Sequence, residues 1–212
     1  MDDALRERAR KARAEVESGT LRGERLIDLL HDVPALERDA WTDELLGIDA
    51  PPPDVAGLPR GAVPYLPCAV DEVLAMVRDV PIRPKDRLVD LGSGLGRVLI
   101  LAHLLTGASA CGVEIQEPLV RRARARCEAL DLDRIEFVEA NAAEVDLDGT
   151  VFFLYAPFNG HLLSRVVARL EHVARRRSIV VCAVDLELRN VPWLSARKAS
   201  SVSLTIYDSR AG

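Results

Sequence analysis

The chain has little aromatic surface, 4% of its 212 residues, and only two methionines and four cysteines. It lacks any run of about eighteen apolar residues free of charge, which excludes an obvious transmembrane helix. Its start, Met1-Asp2-Asp3 followed by Arg6, Glu7, Arg8, Arg10 and Lys11, lacks the apolar stretch of a signal peptide, so a cytoplasmic location without membrane attachment is expected. Cys68, Cys111, Cys127 and Cys182 stand far apart with no C-x-x-C pair and are expected as reduced, buried thiols. His31, His103, His161 and His172 show no ligand spacing such as H-E-x-x-H, which argues against a metal site. An excess of positive charge is missing too. The net charge is -5, with fourteen acids and nine bases in residues 1–60 and nineteen of each in residues 61–212. A neutral main domain does not support binding of nucleic acid through a broad phosphate-neutralising field.

What is present is the composition of a globular protein, 49% hydrophobic and 29% charged. Residues 1–60 read as a helical appendage with helices over 2–17, 21–31 and 34–46, closed by the stiff linker Ala50-Pro51-Pro52-Pro53-Asp54 with Gly57, Pro59 and Gly61. Residues 61–212 read as the main domain. Val70, Val73, Leu74 and Val77 recur at helical spacing, and from residue 88 onward short apolar runs alternate with helical stripes. Strands are expected at 88–91, 109–114, 135–139, 151–155 and 179–184, with helices over 95–105, from 118, and over 161–175. The helix from 118 carries Arg121, Arg122, Arg124 and Arg126, expected as a solvated face. Segments 193–198 and 201–207 have a short connection and suggest an antiparallel hairpin. The fold class expected is α/β: a Rossmann-like, seven-stranded, mostly parallel sheet with a terminal antiparallel hairpin and an N-terminal helical appendage.

The informative segment is Asp90-Leu91-Gly92-Ser93-Gly94-Leu95-Gly96-Arg97, where the first strand of the main domain turns into a helix. Ligands of such sheets bind at this carboxyl edge, and glycines at every second position let a ligand lie against bare backbone. The spacing is G-x-G-x-G, since Arg97 stands where a dinucleotide turn would need glycine. Asp90 would also sit badly beside a pyrophosphate. Glu114, at the end of the second strand, is placed to accept hydrogen bonds from vicinal ribose hydroxyls.

These residues resemble the class I methyltransferases that use S-adenosylmethionine, and the resemblance runs from about Tyr65 to the C-terminus. It implies S-adenosyl-L-methionine as cofactor, with Asp90, Gly92, Ser93, Gly94 and Gly96 in the loop beneath it. Glu114 then matches the ribose carboxylate, and Ile115 is a further cofactor contact. Asn141 and Ala142, in Ala140-Asn141-Ala142, fall where the family often has Gly-Asp-Ala at the adenine. The wording D-L-G-S-G-L-G-R is also similar to the non-SET lysine methyltransferases that modify nucleosomes, and that likeness makes Tyr65, in Val63-Pro64-Tyr65-Leu66-Pro67, a cofactor contact.

Tyr155-Ala156-Pro157-Phe158-Asn159 follows the fourth strand and is similar to the N-P-P-Y sequence of amino-methylating members, with Tyr155 in place of the first Asn. Tyr155 is thereby the candidate catalytic residue and a further cofactor contact. Read as a Pro-containing turn, the same segment simply holds aromatic core residues. Asp90 also reads as a helix cap or an ion-pair partner, Asn141 as a turn residue, and Arg97 as a solvated residue or a contact for the methionine carboxylate. The activity expected is methyl transfer to an unidentified acceptor, an amine or protein lysine among them. The N-terminal helices and linker are expected to cover the cofactor. Two other readings stay open: a non-catalytic S-adenosylmethionine-binding regulator, and a nucleotide-dependent oxidoreductase, which Arg97 and the terminal hairpin disfavour.

Overall fold

Parallel strands buried on both faces need continuous apolar runs, and Leu88-Val89, Val151 to Leu154 and Val180 to Val184 supply them. The computed structural model describes residues 1–210. It shows one seven-stranded sheet in the order β3-β2-β1-β4-β5-β7-β6. The strands are β1 (Arg87–Leu91), β2 (Ser109–Glu114), β3 (Ile135–Glu139), β4 (Val151–Tyr155), β5 (Val180–Val184), β6 (Leu194–Lys198) and β7 (Leu204–Ser209). The first five are parallel, while β7 runs antiparallel to both β5 and β6. The order reverses between β1 and its neighbours β2 and β4, so a crevice opens there at the carboxyl edge.

Helices α5 (Arg97–Thr106), α6 (Glu117–Ala129) and α7 (Gly160–Ala174) make the crossovers. The sheet, the terminal antiparallel pair and the four buried free thiols agree with the expectations from sequence. Among the described residues no helix is long and apolar enough to cross a membrane.

Three differences have physical causes. First, β7 starts at Leu204 and not at residue 201, because Ser201 and Ser203 turn their hydroxyls to Glu72 Oε1 (2.8 and 2.5 Å). Second, the arginines of α6 are not merely a solvated face. Arg122 donates to the Ala50 carbonyl (2.6 Å) and Arg124 to that of Phe137 (2.6 Å), tying the helix to the N-terminal segment and to β3. Third, Arg97 is buried, 7% exposed, and not solvated. Its Nε and second terminal nitrogen donate to the two oxygens of Asp43 (2.8 and 2.5 Å), and its other nitrogen donates to the Cys68 carbonyl (2.9 Å).

That contact joins α5 to the N-terminal helices α1 (Asp3–Glu17), α2 (Gly23–His31) and α3 (Ala35–Leu46). Their buried faces, with Val16, Leu26, Leu30, Trp41 and Leu45, share one hydrophobic core with α4 (Val70–Asp79), α5 and the adjoining sheet face. A second core lies under α7 on the other face. The Asp43 carboxylate holds Arg97 above the ordinary arginine pKa against the opposing effect of burial. Removing one partner of such a buried pair leaves the other charge uncompensated. Asp43→Asn is expected to lower stability by about 3 kcal/mol, measured by urea unfolding at pH 7.

Candidate functional site

The segment from Asp90 to Gly96 leaves the sheet with Gly92, Gly94 and Gly96 at positive φ (92°, 53° and 81°), which side chains with a Cβ rarely adopt. The backbone N–H groups of Gly92 and Ser93 donate to the Val113 carbonyl (2.8 and 3.2 Å), pinning the loop to β2. A Cβ on Gly92 would come within 2.7 Å of Pro157, and one on Gly94 would run into the Tyr65 ring. The bare backbone is therefore what lets the segment before α4 and the turn after β4 close over it.

Glu114 ends β2 and is 7% exposed. Its Oε1 accepts from the Ile115 and Gln116 N–H groups (2.8 and 2.9 Å), and its Oε2 accepts from the Gly94 N–H (3.0 Å). Oε2 thus keeps acceptor capacity at the wall of a cavity of about 180 Å³. Gly92, Ile115, Asn141, Ala142, Tyr65 and Tyr155 line the same cavity. A smaller space of about 20 Å³ shares Tyr65, Gly92 and Tyr155 with it and adds Asp90, Ser93 and Cys68. The structure therefore brings nine of the eleven expected residues around two adjoining spaces.

Gly94 and Gly96 do not line either space. Gly94 is covered by Tyr65, and Gly96 caps α5 with its Cα facing Phe137 and Ala123. Both act through the shape of the turn. Arg97 belongs to Asp43 and is no free partner for a methionine carboxylate.

Asp90 neither caps a helix nor pairs with a base. Among the described residues no donor reaches its carboxylate, and burial, followed by the charge of Glu114, pushes its pKa well above the ordinary value. Ser93 Oγ is also buried without a partner. Asn141 is used as a turn residue, its Oδ1 accepting from the Ala143 N–H (3.0 Å), which leaves one lone pair for a ligand. Burial pushes the Tyr65 hydroxyl up to about 12. Tyr155 is raised by burial first and then by surrounding charge, with Asp185, Glu72 and Asp39 among its sources.

Of the two parts expected to cover the site, it is the linker and the residues just after it that close the cavity. Ala62 bridges to Phe158, the Val63 N–H donates to the Pro157 carbonyl (3.1 Å), and the Asn159 N–H donates to the Gly61 carbonyl (2.8 Å). Asp54 accepts from the Tyr65 N–H (3.0 Å) and from Gln116 (2.8 Å), bonds that hold its carboxyl below the usual range. Gln116 in turn accepts from the Val55 N–H (2.9 Å). Residues 54–66, and not the helices before them, thus form the cover of the cavity. Asp185 also lines it, and its place directly after β5 was a signal available in the sequence. Ala156 and Asp185 hold positive φ (36° and 50°), strain that collects where strands end at the site.

The residues present fit the adenosyl cofactor on three counts. Glu114 keeps a free lone pair where vicinal hydroxyls would lie, the Gly92 backbone lines the cavity, and Asp90 is an unpartnered buried acid suited to an ammonium group.

Residues 88–178 match a family model described as a methyltransferase domain. None of the curated proteins matches the chain in sequence. Among solved structures, an RNA methyltransferase from Salinibacter ruber in complex with S-adenosyl-L-homocysteine is 27% identical at a TM-score of 0.54, covering 68% of this chain and 92% of its own. A putative methyltransferase from Escherichia coli, yhhF, is 17% identical at 0.56, covering 71% and 91%. A mutant of MtNAS in complex with S-adenosylmethionine is 15% identical at 0.55, with 67% of this chain and 63% of that one covered. The last two show a shared fold.

Asp90 yields a test with a definite sign. Its folded-state pKa lies above the unfolded value of about 3.9, so the wild type loses stability relative to Asp90→Asn as pH rises from about 4. Thermal melts without ligand are expected to show Asp90→Asn more stable by about 1–3 kcal/mol at pH 7, with the gain vanishing near pH 4. The same variant is expected to bind S-adenosylmethionine about tenfold more weakly, measured by calorimetry.

Proposed function

We propose that this chain, which carries a class I methyltransferase domain, moves the methyl group of S-adenosylmethionine to an amine acceptor, a protein lysine included. The observation that carries the reading is Glu114, a buried carboxylate fixed by three backbone N–H groups with acceptor capacity left at the cavity wall.

When bound, the cofactor supplies a methyl group on a positively charged sulfur, already electrophilic, so the chain's work is placement and exclusion of water. Glu114 holds the sugar hydroxyls, while Ile115, Asn141 and Ala142 border the base. Asp90 and Ser93 take the polar end, with the Asp90 carboxylate opposite the ammonium group. Tyr65 closes over the glycine turn, held there by Asp54. Tyr155 stands at the boundary of the two spaces and presents its hydroxyl to the acceptor. A phenol is already protonated at neutral pH, and burial and the surrounding charges raise its pKa further, so the hydroxyl donates or accepts a hydrogen bond and does not itself attack.

The acids about Tyr155 favour a cationic acceptor over a polyanion, and the balanced charge of residues 61–212 supplies no broad field for RNA. Tyr155 in place of the family's first Asn also sustains a second reading, a binder of the cofactor without turnover.

Calorimetry is expected to show binding of S-adenosylmethionine and none of NAD. Glu114→Ala is expected to weaken the cofactor by at least about tenfold, the loss of charge-assisted hydrogen bonds. Incubating cell extract with radiolabelled methyl donor is expected to label an amine-bearing fraction. Tyr155→Phe is expected to cut that transfer by about tenfold with cofactor affinity unchanged. Binding without any labelling would favour the non-catalytic reading, and binding of NAD in preference to the methyl donor would overturn both.

A further inference from the structure

Among the described residues that line the larger cavity, two are acids and none is a base. Glu114 is one of the acids, fixed by three backbone N–H groups at the end of β2. Asp185 is the other, directly after β5, with β1 and β4 between the two strands in the sheet. Three strand spacings amount to about 14 Å. Asp185 therefore stands at the far end of the cavity from the place where Glu114 would hold a sugar.

This carboxylate is exposed at the cavity wall, where a ligand reaches it. Its own N–H donates to the Ser203 carbonyl (3.0 Å), which fixes the backbone, while among the described residues no donor engages its side chain. The residue holds φ 50°, a left-handed conformation that Asn adopts as readily as Asp. The turn thus accounts for a short polar side chain and not for its charge.

Tyr155 pairs with Val184, and the Ala156 N–H donates to the Val184 carbonyl (3.1 Å), so Ala156 and Asp185 leave the sheet side by side. The strap adds apolar surface to the same cavity: Val63 and Leu66 line it and are two of the four large hydrophobic side chains exposed among the described residues. A lining with an open carboxylate, apolar side chains and no base suits an alkylammonium and opposes an anion.

We infer that Asp185 is the acceptor-recognition residue: its carboxylate receives the ammonium group of an alkylamine acceptor beside Tyr155, with Leu66 offering apolar surface to the alkyl chain. This rests on the methyltransferase reading above and adds a residue and a charge requirement to it. The contact is one of capture, in which neither a proton nor a methyl group moves. Because the carboxylate is exposed, the pair is modest in strength and screened by salt.

The test uses the full chain labelled with nitrogen-15. Calorimetry first measures uptake of S-adenosylhomocysteine; the loaded chain is then titrated with n-butylammonium chloride and with n-butanol at constant ionic strength, followed by amide shifts in NMR spectra. The wild type is expected to prefer the ammonium by about fivefold, with the largest shifts at Tyr155, Asp185 and Leu66. That preference is expected to shrink at least twofold in about 0.5 M sodium chloride. Asp185→Asn, which suits the same backbone conformation, is expected to erase the preference while holding S-adenosylhomocysteine within about twofold of the wild type. The salt dependence and the location of the shifts in the wild type serve as the readout if the variant does not fold.

A merely structural Asp185 would shift the melting temperature and leave the preference intact, and that result overturns the inference. So does a loaded wild type that binds both probes equally, prefers the ammonium independently of salt, or shifts elsewhere. A chain that fails to take up S-adenosylhomocysteine in the first titration instead overturns the methyltransferase reading, and this inference with it.

Discussion

The guanidinium of Arg97 occupies a position that would be unfavourable alone. It is a buried cation in the first turn of α5, where the helix dipole is positive, and both burial and dipole work against it. Asp43 and Asp39 of α3 and the Cys68 carbonyl make the position stable. The consequence reaches the site directly, because Arg97 follows Gly96 and so anchors the helix on which the glycine turn rests. The N-terminal helices, the segment leading into α4 and the glycine turn are thus set by one cluster of charges. To the packed apolar core that joins these elements, the bidentate ion pair adds a directional constraint.

The site itself is a product of the parallel sheet. Each strand points its last residue at the same edge, which collects Asp90 near the end of β1, Glu114 from β2, Tyr155 from β4 and Asp185 beyond β5. Acids predominate there, and their fates differ with their hydrogen bonds. Glu114 is satisfied by backbone N–H groups and reads as a fixed acceptor, whereas among the described residues no donor reaches Asp90 or one oxygen of Glu72. Buried acids lacking donors favour positively charged ligands, and S-adenosylmethionine, with both a sulfonium and an ammonium, supplies such charges.

Much of this was legible in the residues. Apolar runs and helical stripes located the strands and crossovers, and G-x-G-x-G followed by Glu114 pointed to the sheet edge where the cavity lies. The errors have a common origin. Arg97 looked like a solvated residue, Arg122 and Arg124 like a solvated face, and Ser201 to Ser203 like strand. In each case the deciding partner is remote in sequence: Asp43, the carbonyls of Ala50 and Phe137, and Glu72. Periodicity reports which face of an element is apolar; it carries no information on which distant carboxylate or carbonyl a polar side chain will meet.

The order of strands along the chain, the glycine turn at residues 92 to 96 and the presence of a carboxylate at the end of β2 were determined by the sequence, because they depend on local patterning and on glycine's freedom at positive φ. Tertiary structure alone decided how the segment from Asp54 to Leu66 is fastened over the cavity, that Gly94 lies beneath Tyr65, and that Ser201 and Ser203 turn to Glu72. Those outcomes depend on contacts across tens of residues, where the energy of burying a charge with or without a partner, and not the pattern of the chain, selects the arrangement.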